Sequence, residues 1–304
     1  MPVFIAVAVL IFLMGLTQLY ATFLLLRFLL GFADSGVFII SETWINQLAE
    51  RKSRGRIIGL YATMLSAGFG AGPLLLSFTG VAGFMPFVIG AGLCIAAALV
   101  IFKFRAFMPD SSHEQASSSL SFIRLAPALL IAIATFAFWD GALLSLFPVY
   151  GLYFDFSTSF ITLALSVCIL GKTFLQIPIG WVADLTSRRG VLIFCAGAAA
   201  LGAIALPQVI GSPMLFLSTL FFWGAAVGGI YTMAMSELGD RFTGAEIMAG
   251  NAAFAIAFGI GGMVGGPVTG AAMDAAGANG FTTTLALIFV FTSVFAAWRY
   301  AGSR

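Results

Sequence analysis

Apolar residues run along this chain in blocks of about twenty, separated by short polar turns, with no sustained alternation of the kind a strand would show. The blocks fall at 2–18, 20–48, 56–78, 84–105, 124–151, 158–184, 190–209, 213–238, 246–273 and 281–300. Each approaches the ~20 residues that an α-helix needs to cross a bilayer, so the pattern predicts an all-α polytopic membrane protein of about ten transmembrane helices. The first block has neither the basic leader nor the small-residue cleavage site of a signal peptide, and reads as a membrane helix. One polar stretch interrupts the series: AFMPDSSHEQASSSLSFI at 106–123, rich in Ser, divides the chain into a part of four helices at 1–105 and a part of six at 124–304.

Composition agrees with the pattern and removes alternatives. The chain of 304 residues is 61% hydrophobic and 9% charged with a mean hydropathy of +1.08, whereas soluble domains carry about 25% charged residues. Cys94, Cys168 and Cys195 stand singly in apolar blocks without metal-ligand spacing, and His113 lies in the Ser-rich stretch, so no metal or cofactor is expected. No nucleophile elbow, phosphate loop or paired-carboxylate pattern stands in a polar context, which leaves no catalytic residues and no case for an enzyme. The cations line no aromatic-basic face, so nucleic acid is not an expected partner.

Charge does orient the chain. Arg51, Lys52, Arg54, Arg56, Lys103, Arg105, Arg124, Arg188, Arg189, Arg241, Arg299 and Arg304 all fall in alternate connections on one side, and the other side receives no Lys or Arg. The positive-inside rule makes the loops near 50, 113, 187 and 242 and the C-terminus cytoplasmic. The remaining cations, Arg27 and Lys172, lie within apolar blocks, as do Asp34, Glu42 and Asp140. A charge near the centre of a bilayer costs roughly 2.5–3.5 kcal/mol on insertion scales, so these side chains are expected to face a partner or a water-filled cavity. Arg27 and Asp34 lie seven residues apart, two helical turns, and share a face; Gln176 follows Lys172 by one turn. Two readings of Asp140 and Lys172 stand together: a structural ion pair between adjacent helices, or a proton-binding carboxylate beside a cation that binds an anionic group or tunes the carboxylate's proton affinity. Trp139 and Trp223 are candidate contacts for an apolar ligand.

The residues from Arg27 to Pro73 carry a resemblance. Arg27-x-x-x-Gly31, Ser41-Glu42-Thr43-Trp44, the Arg54-Gly55-Arg56 turn and Gly68-x-x-x-Gly72-Pro73 together are similar to the fourth and fifth helices of a major facilitator superfamily (MFS) transporter, and the SETWIN segment is most similar to its YcaD-like branch. Gly262-x-x-x-Gly266-Pro267 repeats the second motif, and Pro73 and Pro267 stand 194 residues apart (267 − 73), which sets a repeat length. On that arithmetic 1–105 is a partial N-terminal half with helices equivalent to three to six, 106–123 a cytoplasmic linker, and 124–304 a C-terminal half equivalent to seven to twelve; the first two helices of a six-plus-six member are expected to be missing, by misplaced start, fragment or truncated gene.

The resemblance implies a secondary active transporter of a small solute in the inner membrane, monomeric, proton-coupled and working by alternating access. Efflux is the leading expectation, because paired Gly-x-x-x-Gly-Pro sequences resemble an antiporter motif; proton-coupled uptake, or a non-transporting sensor or remnant, are the alternatives. Gly180-Trp181-Val182-Ala183-Asp184-Leu185-Thr186-Ser187-Arg188-Arg189 resembles the superfamily's G-x-x-x-D-R-x-G-R-R loop, with Leu185 and Ser187 departing from it. The implied role is a cytoplasmic latch, Glu42 included, in which Gly180 permits close helix approach, Asp184 sits at a helix terminus, and Arg188 and Arg189 reach carboxylates on neighbouring helix ends, with Glu237 as the partner. Arg27, Asp34, Asp140, Lys172 and Gln176 are the implied proton-coupling or cavity residues.

Overall fold

The computed structural model describes residues 2–17, 19–79, 83–103, 122, 124–301, with the side-chain surroundings of 2, 70, 72–74 and 76–79 outside the description. The linker predicted at 106–123 therefore lies, but for Phe122, outside the described residues. Eleven helices are described, with the bounds α1 Pro2–Leu16, α2 Tyr20–Leu48, α3 Arg54–Thr79, α4 Met85–Lys103, α5 Pro127–Leu152, α6 Thr158–Phe174, α7 Gln176–Leu185, α8 Arg188–Ala205, α9 Pro213–Arg241, α10 Ala245–Ala276 and α11 Ala278–Ala301. Eight spans are long and apolar enough to cross a bilayer, α6 and α7 counting as one, and α1 is a shorter apolar helix. With α3, of comparable length, these are the ten predicted blocks.

Helix ends follow local chemistry. Ser157 and Ser187 cap α6 and α8, each side chain accepting the amide three residues on at 3.3 Å. Pro127 and Pro213 open α5 and α9, where a missing N–H removes nothing a helix would use. The block at 158–184 differs from expectation: it is two helices broken at Leu175, which adopts φ −90°, ψ 0°. Pro178 explains the break, since it has no N–H for the carbonyl of Phe174 and its ring crowds that carbonyl.

Helices α1, α2 and α4 pack on one another around a small core of Val7, Met14 and Leu30. Helices α5 to α11 enclose a larger one, where Trp139, Trp223, Phe147, Tyr150, Phe216, Phe281 and Phe289 are fully buried. Helix α3 touches α2 and α4 little and packs chiefly on α7, α6 and α9, while α2 packs on α10. The two groups of helices thus meet along α2 and α3, and this seam holds the polar chemistry.

Candidate functional site

The basic end of the seam carries an ionic cluster. Asp184, the last acid of α7, receives the backbone N–H groups of Gly55 at 2.7 Å and Arg56 at 2.9 Å. A carboxylate thus sits on the first turn of α3, where orphan amides and the helix dipole favour an anion. Arg188 bonds Asp184 at 2.9 Å and the Arg51 carbonyl at 2.6 Å, and also pairs with Asp240. Arg54 reaches the same Asp240 at 2.5 Å and the carbonyls of Ala49 and Asn46 at 2.8 and 3.3 Å. The four side chains are only 6–12% exposed and sum to zero charge. Close backbone approach makes this geometry available: a Cβ on Gly55 would lie 2.6 Å from the Gly180 carbonyl oxygen, and one on Gly180 would strike Gly55. Arg189 pairs separately with Glu237 at 2.7 Å, its side chain 40% exposed.

The seam continues toward the membrane interior as a buried polar layer. Glu42 is not among the cations, as the latch reading had it; one carboxylate oxygen accepts the hydroxyls of Tyr231 from α9 and, at 3.5 Å, Tyr61 from α3. Asn251 of α10 donates to Thr43 of α2 at 2.8 Å, and Thr63 of α3 donates to the Thr173 carbonyl at 2.8 Å. Gln176 accepts from Thr232 at 2.8 Å and donates to the Ala225 carbonyl at 3.3 Å. The side chain of Asn46 is fully buried with neither amide atom hydrogen-bonded, and Asn251 Oδ1 has no partner either.

Lys172 and Asp140 form an ion pair of 2.8 Å between α6 and α5, with side chains 20% and 26% exposed. The ammonium lies 4.9 Å from the Phe136 ring centroid and 5.8 Å from that of Trp139, within cation–π range. The Gln176 side chain bonds to α9, within the larger group of helices, and not to this pair. Among the described residues Arg27 makes no ion pair within 4.0 Å; it is exposed, and Asp34 on the same helix is half-buried. Trp139 and Trp223 are core, stacked edge to face at 5.5 Å, with the Trp223 N–H on the Ala199 carbonyl.

The glycine motifs separate. Gly261 and Gly265, rather than the predicted Gly262 and Gly266, seat α10 against the carbonyls of Ala134 and Phe138 on α5. Gly262 has its own close contact from the other side: a Cβ on Gly141 would lie 2.6 Å from its carbonyl. Pro267 lies inside a continuous α10. Among the described residues nothing lies within 4 Å of where a Cβ on Gly68 would be, and the surroundings of Gly72 and Pro73 lie outside the described residues.

Sequence reasoning did not single out Arg54 and Asp240 as partners, because their separation of 186 residues leaves no spacing to read. A signal existed: Asp240 is an acid in the last turn of α9, where the helix dipole disfavours one, so it calls for cations.

An all-helical bundle of two unequal groups, tied at one end by a basic loop motif, is a transporter architecture. The family model of the Major Facilitator Superfamily matches residues 1–170 and again 129–303, and the chain belongs to that superfamily. It is 29% identical over 252 residues to the uncharacterized MFS-type transporter YfkF of Bacillus subtilis, covering 81% of this chain and 64% of that protein. It is 26% identical over 268 residues to the uncharacterized MFS-type transporter YcaD of Escherichia coli, covering 86% of this chain and 68% of that one. The chain thus spans about two thirds of the length of these relatives. In fold it matches the MFS transporter FucP in the outward conformation, with a TM-score of 0.75 at 20% identity, covering 98% of this chain and 80% of FucP. Membership sets the chain in a superfamily of multi-pass membrane transporters.

Proposed function

We propose that this chain is the greater part of a proton-coupled secondary transporter that exports a small solute by alternating access, acting as a monomer in the inner membrane. Residues 1–105 contribute helices equivalent to three to six and 124–304 those equivalent to seven to twelve. The observation that carries the reading is the neutral, buried cluster of Arg54, Asp184, Arg188 and Asp240, which joins the two groups of helices at one end only. A joint made of ions and backbone amides can be remade in water, alongside the apolar contacts that Ile58 and Ala62 of α3 make with the larger core. Positive-inside topology makes that end cytoplasmic, and its closure makes this the outward-facing state. Asn46 and the Asn251 carbonyl oxygen, unsatisfied here, gain hydration when the seam opens, which keeps the closed state from being too stable.

Coupling is assigned to Asp140 and Lys172. Partly exposed in mid-helix, the pair can exchange its mutual contact for a proton on Asp140 and a solute group on Lys172. Arg27 and Asp34, on one face of α2, are assigned to the same cavity. Uptake by symport is the second reading, favoured by the fold likeness to FucP, a fucose:proton symporter. Inverted vesicles acidified by respiration and loaded with acridine orange separate the two. Adding an exported solute from a panel of amphipathic cations, weak acids and sugars releases the quench, and Asp140→Asn abolishes the release. Deeper quenching on solute addition would overturn efflux in favour of symport.

A further inference from the structure

At the basic end of the larger helix group, away from the seam, lies a cavity of about 80 Å3, several times what one water needs. Its walls are the first turn of α5, from Leu125 to Ala128, and the side chains of Arg189, Arg241, Arg299 and Tyr300. Three arginines from three different helices therefore line one small space. Glu237 pairs with one of them, Arg189, and among the described residues no acid pairs with the other two. Arg189 gives its Nε–H to Glu237 at 2.7 Å and lies over the Tyr300 ring at 4.8 Å, which leaves its terminal nitrogens for other contacts. Arg241 reaches only the Leu125 carbonyl, at 3.4 Å, and the Phe242 ring, at 5.3 Å. Among the described residues Arg241 and Arg299 enter no ion pair. Helix C-termini favour a cation in the last turns of α9 and α11, which accounts for Arg241 and Arg299 separately but not for their meeting beside Arg189. The fourth wall adds at most one backbone donor, the N–H of Ala128, since Pro127 has none and those of Ala126 and Leu129 go to the carbonyls of Phe122 and Ala126.

We infer that this cavity binds a phosphoryl group, bridged by Arg189, Arg241 and Arg299. Guanidinium forks match phosphate oxygens in geometry and charge. The cavity opens among helix ends, the depth at which basic pockets between membrane helices meet anionic headgroups. Binding steadies Arg189, and through it Glu237 on α9, three residues before the Asp240 that Arg54 and Arg188 share.

The test uses the purified chain in lipid nanodiscs, with thermal unfolding followed by tryptophan fluorescence. Replacing a third of the phosphatidylcholine by phosphatidylglycerol is expected to raise the midpoint by roughly 2–4 °C, the shift that about one kcal/mol of binding gives a chain of this size class. Arg241→Gln with Arg299→Gln should lose that increment, while Lys52→Gln, which removes an exposed cation of the same end outside the cavity, should keep it. An equal increment from millimolar inorganic phosphate in phosphatidylcholine alone would support the site with free phosphate as its source. A lipid increment that is absent, or that survives in the double variant as fully as in Lys52→Gln, would overturn the inference. Should the double variant not fold, Arg299→Gln alone decides, read by native mass spectrometry as one fewer phosphatidylglycerol retained than in the unaltered chain; equal retention overturns the site.

Discussion

Asp240 is shared by two arginines, and that makes it the residue whose loss should be felt most. Asp240→Ala leaves Arg54 and Arg188 buried beside each other with one carboxylate, Asp184, between them. Breaking a buried pair costs about 3–5 kcal/mol because a charge stays behind uncompensated. Here the cost can be escaped by parting the halves, so the expected outcome is faster maleimide labelling of a cysteine placed at the buried Ser236. Labelling unchanged from the parent would show that the cluster does not hold the seam. For Asp140 and Lys172 a double-mutant cycle separates the two readings. If Asp140→Asn lowers expression and Lys172→Ala on top of it restores both expression and transport, the pair is a structural staple. If Asp140→Asn expresses normally and no solute restores proton movement, the carboxylate is the coupling group. The residue scale is also where the sequence is least legible. Asp184 and Arg188 stand out because they sit in one loop. Glu42 reads as a latch acid from its place near a helix end, but only the fold shows that its neighbours are two phenols, each from a different half of the molecule.

Among elements, α3 has the least ordinary position, since its first turn is held by an acid from another helix and its length lies on α7. Glycine makes that contact: at Gly180 an added methyl group would meet the Gly55 backbone, whereas at Gly68 it would meet nothing within 4 Å among the described residues. Gly180→Ala is therefore expected to loosen the basic end, with faster labelling at position 236 and a lower unfolding midpoint. Gly68→Ala should be neutral or slightly stabilising, because Ala is the better helix former by about 1 kcal/mol. Equal behaviour of the two variants would contradict the close packing of α3 on α7. The helices themselves were readable to within a few residues, since apolar blocks of this length have few other fates. The break at Leu175 was not read, although Pro178 stands in the sequence, because prolines also occur within unbroken helices such as α5 at Pro148 and α10 at Pro267. Whether a proline parts a helix depends on what re-satisfies the freed carbonyl, which is a property of its neighbours. The same limit explains the glycines: the motif drew attention to Gly262 and Gly266, while the register of α10 on α5 puts their predecessors, Gly261 and Gly265, in the contact.

For the whole molecule, sidedness is the prediction that everything else inherits. A cysteine at Ser118, in the linker between the two helix groups, should resist an impermeant thiol reagent added outside intact cells and react once the membrane is opened. Ready labelling from outside would invert the topology, and with it the identity of the closed end. The sequence marks its expected division into two parts by one polar stretch and one repeat length, because both are one-dimensional features. The way α2 and α3 lean across to the other group is not so marked, because it depends on contacts between residues more than a hundred positions apart.

The neutrality of the cluster at the basic end bears on how such a molecule responds to the membrane potential. Each elementary charge carried across the full potential is worth about 2.3 kcal/mol per 100 mV. The ion pair that must separate to open the seam is Arg54 with Asp240, lying at the end of the bundle, where little of the field remains to be crossed. Of the charges at depth, Lys172 and Asp140 compensate each other, and Arg27 and Asp34 add one of each sign. The protein's own rearrangement should then be electrically silent, and any voltage dependence of the cycle should count the charge of the solute and its protons alone.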